Sequence, residues 1–211
     1  LISALCQVAS LRHSPAATTP VKQLERHMII PPYYRASSVD EFTGAYNGTP
    51  YSFMETTLTK LQQDPLYQEQ SRELEIFQGV IVRIKVKRGI DSHTVIIPRR
   101  LLKAFFHVRF RDYQSVKPDN IKYEHLFENL TREPGAARIV MKTNFMDAFY
   151  EAAQMYRARW MVASFMDNEI VMVFQRFRPM IRIHSLWRPM TEDELQRIGW
   201  EMDGIFKIIE T

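Results

Sequence analysis

The chain has 211 residues, 45% apolar content and a formal net charge of +4, which fits one large domain or two small ones, with one favoured, and is normal for a protein that buries a real core. Its one cysteine, Cys6, excludes an intramolecular disulfide and a cysteine-based zinc cage and points to a reducing compartment, the cytoplasm. No run approaches the roughly 18 apolar residues of a membrane span.

Leu1–Leu11, LISALCQVASL, places Leu1, Leu5 and Val8 on one helical stripe. It lacks the basic flank of a signal peptide, and bulky Leu5 stands where a lipoprotein signal needs a small residue before Cys6. Two prolines in His13–Pro20 end the stripe, and Val21–Ile30 resumes as a short helix before Pro31–Pro32 forces extended backbone. Residues 1–35 are therefore expected to form an N-terminal helix and Pro-rich linker, and residues 36–211 a single α+β domain. After a loop at Ala36–Asp40, Asn47–Gly48 gives a strong hairpin signal, with a strand at Pro50–Thr59.

Leu74–Pro98, LEIFQGVIVRIKVKRGIDSHTVIIP, carries the sharpest pattern in the chain. Ile76, Val80, Val82, Ile84 and Val86 alternate with Phe77, Gly79 and Ile81, so both faces of a strand are buried. From Arg83 the second face becomes Arg83, Lys85 and Lys87. Gly89 and Asp91 supply turn residues, and His93–Ile97 returns as a second β-branched run, which predicts a hairpin. Arg99–Phe110 is readable as helix, strand or one running into the other. Ile121, Tyr123, His125 and Phe127 recur with period two, predicting a strand. Thr143 or Asn144 caps a helix with a Phe145, Phe149, Ala152 and Tyr156 stripe. Arg159–Phe165 and Glu169–Phe177 flank the turn Met166–Asn168 as a hairpin. Thr191–Glu194 is a capping box that opens an amphipathic helix with Leu195, Ile198, Met202, Ile205 and Ile209 on one side. Gly199 and Gly204 in that helix each cost about 1 kcal/mol relative to Ala, which predicts close approach to the sheet.

The sequence carries few motifs with chemical meaning. Seven scattered glycines form no phosphate-cradling loop. The six histidines never recur at i, i+3 or i+4, so no metal ligand pair lies on one helical face. No Gly-flanked serine elbow is present and Cys6 has no basic pocket, so no catalytic residue, cofactor or metal is assigned. Asn47–Gly48–Thr49 and Asn129–Leu130–Thr131 match the glycosylation pattern by chance. Charge is unevenly placed: Arg83–Arg111 holds nine basic residues against Asp91, whereas Met190–Thr211 holds six acids against Arg197 and Lys207. The two regions either face each other or leave the basic one to an anionic partner. RRLLKAFFHVRFRDY interleaves arginine with Phe105, Phe106 and Phe110, and the favoured reading is core phenylalanines with snorkelling arginines.

The ordered set of HSPAATTP, GAYNGTPYSFMET, ELEIFQGVIVRIKVKR with its Phe-x-Gly step, TVIIP and ARIVMKTNFMDAFYEAAQMYRARWMVASFMDNEIVMVF resembles an uncharacterised bacterial family. This is a domain of unknown function whose members typically carry transmembrane helices before a soluble α+β domain. The resemblance covers most of the chain and departs at Arg182–Arg188. It implies a bacterial, membrane-associated protein at the cytoplasmic face of a membrane, with the amphipathic start and absent Met expected of a piece cut just after its anchors. It implies no activity, cofactor or site residue.

The expected fold is one α+β domain with a mostly antiparallel sheet of about five to seven strands, a central helix and a C-terminal helix packed on it. The expected function is a non-enzymatic, membrane-proximal interaction module. It would bind a protein partner or anionic lipid headgroups through Arg83, Lys85, Lys87, Arg88, Arg99 and Arg100. One alternative is an enzyme assembled from sequence-distant groups, with Glu124, His125, Glu128 and His184 available. The other is nucleic-acid binding, which the residues disfavour.

Overall fold

A computed structural model describes residues 11–63, 71–87, 92–102, 106, 108–156, 160–175 and 191–211. Nine strands form one open, wholly antiparallel sheet in the order β1-β2-β3-β4-β9-β8-β5-β7-β6. In chain order they are β1 (Arg12–Ala16), β2 (Arg35–Tyr46), β3 (Thr49–Gln63), β4 (Ser71–Lys85), β5 (Thr94–Pro98), β6 (Gln114–Ser115), β7 (Phe127–Thr131), β8 (Met161–Met166) and β9 (Glu169–Gln175). The helices are α1 (Val21–Leu24, continued by a 3-10 turn at Glu25–His27), α2 (Ile121–Leu126), α3 (Pro134–Val140), α4 (Thr143–Met155) and α5 (Glu192–Glu210), with a single helical turn at Arg99–Leu101 directly after β5. The α+β, mostly antiparallel fold expected from the sequence is the fold observed, with nine strands rather than five to seven.

Local signals place the turns. Asn47 and Gly48 both have positive φ, 49° and 74°, the left-handed pair that a two-residue hairpin needs. Asp167 and Asn168 repeat it at 53° and 61° between β8 and β9. β4 is buried on both faces from Gly79 to Val82 and emerges at Lys85. Gly79 is required by proximity: an added Cβ would lie 2.2 Å from the Phe174 carbonyl oxygen and 2.7 Å from the Phe77 ring, so the Phe-x-Gly step lets one ring cover a bare backbone.

Several expectations are corrected. β5 does not fold back on β4; it pairs with β7 and β8, while β4 lies between β3 and β9. The buried run Thr94–Pro98 is a central strand, and a central strand's partners are chosen by packing rather than by the turn before it. Arg12–Ala16, expected as linker, forms β1 against β2. Ala36–Asp40, expected as loop, belongs to β2, where the register shifts between Val39 and Phe42 and Asp40 takes φ 52°. Ile121–Leu126 is helical, because Asn120 caps it by accepting the Tyr123 N–H at 3.1 Å, leaving Ile121 outside. The helix at Thr143 is present, but Lys142 occupies its cap without a side-chain hydrogen bond. The stripe at Leu1–Leu11 falls outside the described residues but for Leu11.

Two cores separate on the two sides of the sheet. On one, Phe53, Val82, Phe165, Met172 and Phe174 pack with Phe145, Phe149 and Ala152 of α4 and Met202, Ile205 and Ile208 of α5. On the other, Phe77, Ile81, Val95, Val162, Val171 and Val173 are covered by Val21, Leu24, Ile29 and Ile30 and by Phe106 and Phe110. Among the described residues the second cover consists of short turns of helix and irregular chain. Gly204 fits close approach, not to the sheet but between helices: an added Cβ would lie 2.3 Å from Met155 Cε, whereas Gly199 meets nothing within 4 Å.

Candidate functional site

Strand alternation decides where the basic residues go. Arg83 shares the odd-numbered side of β4 with Phe77 and Ile81, and the cover drawn over that side takes it in. Its Nε and Nη2 donate to Glu169 Oε1 at 3.0 and 2.6 Å, and its Nη1 donates to Thr19 Oγ1 at 2.9 Å. Lys85, opposite Glu169 in the ladder, and Lys87 are exposed. Arg88 lies outside the described residues. Arg99 pairs with Glu128 at 2.8 Å and Glu124 at 3.8 Å, and its Nε donates to the Glu124 carbonyl. Arg100 is exposed beside it. The residues do not form one patch. Lys85 borders the β8–β9 turn, whereas Arg99 follows the far end of β5, whose Thr94 is the residue nearest that turn. At about 3.3 Å per residue this separates them by roughly 15 Å or more along the strands.

Among the described residues, the largest convergence of polar side chains was not foreseen, and it lies under the second cover. Glu169, at the start of β9, is 4% exposed and accepts from Arg83, from Arg26 Nη2 at 3.1 Å and from His27 Nε2 at 3.2 Å. Burial alone would raise its pKa, but the hydrogen bonds of His27 and Arg83, Arg83's charge and the Arg26 bond hold it down at about 2. His27 Nδ1 meets Ser164 Oγ at 2.9 Å, Ser164 Oγ meets His93 Nε2 at 2.9 Å, and His93 Nδ1 meets the Tyr113 hydroxyl at 2.7 Å. Burial first, then electrostatic interaction with His27 and Arg132, lowers the His93 pKa to about 4. On the other flank Thr19 donates to Glu41 at 3.0 Å, and the Thr18 and Thr19 N–H groups and the Thr18 hydroxyl also bond that carboxylate. Burial would raise Glu41, and these bonds outweigh it and lower its pKa.

Ser164, His27 and Glu169 have the connectivity of a hydrolase triad but not its access. Ser164 and His27 are 0% exposed, so no carbonyl can approach the hydroxyl. Glu124 and Glu128 are held by Arg99, with Ser115 also donating to Glu128, and His184 lies outside the described residues. Phe106 and Phe110 are 1% and 4% exposed, and Arg109 donates to the Met28 and Ile30 carbonyls, which leaves these rings unable to stack on bases. A groove of about 440 Å³ is lined by Glu25, Met28, Ile30, Pro31, Pro32, Tyr33 and Arg109, none of them among the candidate acid–base groups. Among the described residues no group of three or more His, Cys, Asp or Glu side chains could hold a metal, and no helix is long and apolar enough to cross a membrane.

The buried chain escaped sequence analysis because its members come from the 3-10 turn after α1, the entry to β5, β8 and β9. The available signal was Glu169 in step with Val171 and Val173 on one strand face. That becomes informative only once β4 is known to supply Arg83 alongside.

No curated protein matches the chain in sequence. Among solved structures, the mycobacterial trehalose monomycolate transport factor A is similar, with a TM-score of 0.51 and 8% identity, over 98% of this chain and 91% of that one. At that identity the likeness is one of fold. A family model described as "Protein of unknown function (DUF3137)" matches residues 75–211, from the middle of β4 through α5, and the chain belongs to that family.

Proposed function

We propose that this chain is a non-enzymatic interaction module working beside a membrane, at its cytoplasmic face, with the basic end of β4 turned towards anionic lipid headgroups or an acidic protein surface. The observation that carries this reading is the closure of the interior. Ser164, His27, His93 and Glu169 are sealed under the cover, Glu124 and Glu128 are tied in surface ion pairs with Arg99, and His125 stands exposed on α2, apart from the buried chain. Lys85 and Lys87 remain exposed next to a hairpin turn. The fold likeness to a transport factor supports an accessory rather than a catalytic role.

Two lysines at an anionic surface contribute about 1 kcal/mol each, enough to orient a domain and too little to hold it alone. The test is vesicle flotation at low salt, using phosphatidylcholine with and without phosphatidylserine. Lys85→Glu with Lys87→Glu should weaken binding to the anionic vesicles by at least about thirtyfold, and salt should weaken the wild type similarly. Unchanged binding by the double variant removes the lipid reading.

A further inference from the structure

The buried chain from Tyr113 to Glu169 has a direction. An ionised carboxylate only accepts, so His27 must carry a proton on Nε2 to bond Glu169. With His27 neutral, its Nδ1 accepts, and the hydrogen of Ser164 points at it. The Ser164 oxygen is then left to accept from His93 Nε2–H. Neutral His93 accepts at Nδ1 from the Tyr113 hydroxyl. Each hydrogen bond fixes the next, and with two neutral rings one arrangement satisfies all four: every hydrogen points from Tyr113 towards Glu169.

One added proton breaks this order at one particular place. A proton on His93 puts a hydrogen on Nδ1, facing the Tyr113 oxygen. Tyr113 must then stop donating to His93 and accept instead, turning its own hydrogen to Met28 Sδ, 3.8 Å away. The charged groups around His93 act in both senses: Arg132 lies 5.3 Å over the Tyr113 ring and repels a proton on His93, while Asp167 attracts it. At the far end of the chain Arg26 and Arg83 pair with the Glu169 carboxylate that His27 also bonds.

Tyr113 ends the irregular segment that covers the second core, anchored by Phe106 and Phe110. We propose that the chain is a proton-operated latch on that cover: with both imidazoles neutral it ties Tyr113 to the sheet, and uptake of one proton reverses the tie and loosens Val108–Tyr113. Arg109 of the same segment donates to the Met28 and Ile30 carbonyls in the wall of the 440 Å³ groove, so the latch also sets that groove's shape. The depressed pKa of His93, about 4, places the reversal well below neutral pH.

Long-range ¹H–¹⁵N spectra of the labelled chain report the tautomers directly. At pH 7.5 His27 and His93 should both carry hydrogen on Nε2. As His93 titrates, exchange of the Tyr113 amide, which bonds the Phe110 carbonyl at 3.1 Å, should rise at least tenfold over its intrinsic rate, while the Tyr156 amide at the end of α4 stays protected. Tyr113→Phe keeps the ring and deletes the oxygen that donates to neutral His93 and accepts from the protonated ring; the bond to the charged ring is the stronger, so the His93 midpoint should move down by about one pH unit. A hydrogen on Nδ1 of either ring at pH 7.5, an unmoved midpoint in Tyr113→Phe, or Tyr113 exchange indifferent to the titration would each overturn the latch.

Discussion

The two sides of the sheet are covered by different kinds of chain, and their interiors differ accordingly. α4 and α5 satisfy most of their backbone hydrogen bonds internally, so the space beneath them needs only apolar bulk. It is filled by Phe145, Phe149, Phe165, Phe174 and their neighbours, with rings about 5 to 6 Å apart. The opposite cover is built from short turns and irregular segments whose polar groups must be satisfied locally. There the apolar centre is edged by the chain of Tyr113, His93, Ser164, His27, Glu169 and Arg83. The helical cover lays mostly apolar side chains on its core, whereas the irregular one ties its core to a chain of titratable groups.

Truncation on each side should separate the two by their response to acid. Phe149→Ala opens a cavity at a fully buried ring and should cost about 4 kcal/mol, measured by urea unfolding, with the same cost at pH 7.5 and pH 5. Glu169→Gln leaves Arg83 and Arg26 facing a neutral amide at a 4% exposed site and should cost about 3 kcal/mol. That cost should shrink as pH falls from the ordinary carboxylate range towards 2, because the wild type itself loses the Glu169 contribution there. Equal pH profiles for the two variants across that range would erase the contrast between the faces.

The acid response of the wild type follows from His93. Its pKa is about 4 in the fold against 6.5 unfolded. Between those values the unfolded chain binds more protons, so stability is complete above about pH 6.5 and is lost as pH falls towards 4. At about 1.4 kcal/mol per pH unit, going from 6.5 to 5 should remove about 2 kcal/mol. Urea midpoints that stay flat between pH 7.5 and pH 5 would show that His93 is not sealed from solvent.

The helix-covered side was largely legible in the sequence, and the other was not. The spacing of Phe145, Phe149 and Ala152 is local, and so are the left-handed pairs Asn47–Gly48 and Asp167–Asn168 that set two hairpins. The two-sided burial of β4 needs only its own alternation. What defeated the reading was long-range choice. Thr94–Pro98 is equally compatible with pairing to β4 or to β7 and β8, and only the packed sheet decides. Ile121, Tyr123, His125 and Phe127 alternate like a strand, yet Asn120 caps a helix that buries Tyr123 and leaves Ile121 74% exposed. The buried polar chain joins His27 to Ser164 and Glu169 across 137 and 142 residues, and no window of sequence spans that. For the same reason Arg83 read as a surface cation beside Lys85, when its strand face was about to be covered.

The smallest expected effect tests how tightly the helix-covered side is specified. Gly199 has open space where a Cβ would stand, so Gly199→Ala should stabilise the fold by about 1 kcal/mol through helix propensity alone. Gly204→Ala carries the same gain, but its Cβ would come within 2.3 Å of Met155 Cε and 3.0 Å of the Tyr156 hydroxyl. Methionine is unbranched and its end can swing aside at little cost, so the gain and the displacement should nearly cancel and leave the urea midpoint close to that of the wild type. If Gly204→Ala instead costs about 2 kcal/mol or more, the α4–α5 contact is held by the Tyr156 hydroxyl, which donates to the Glu201 carbonyl, rather than by adaptable packing. The helical cover would then depend on a specific polar tie, as its counterpart across the sheet does.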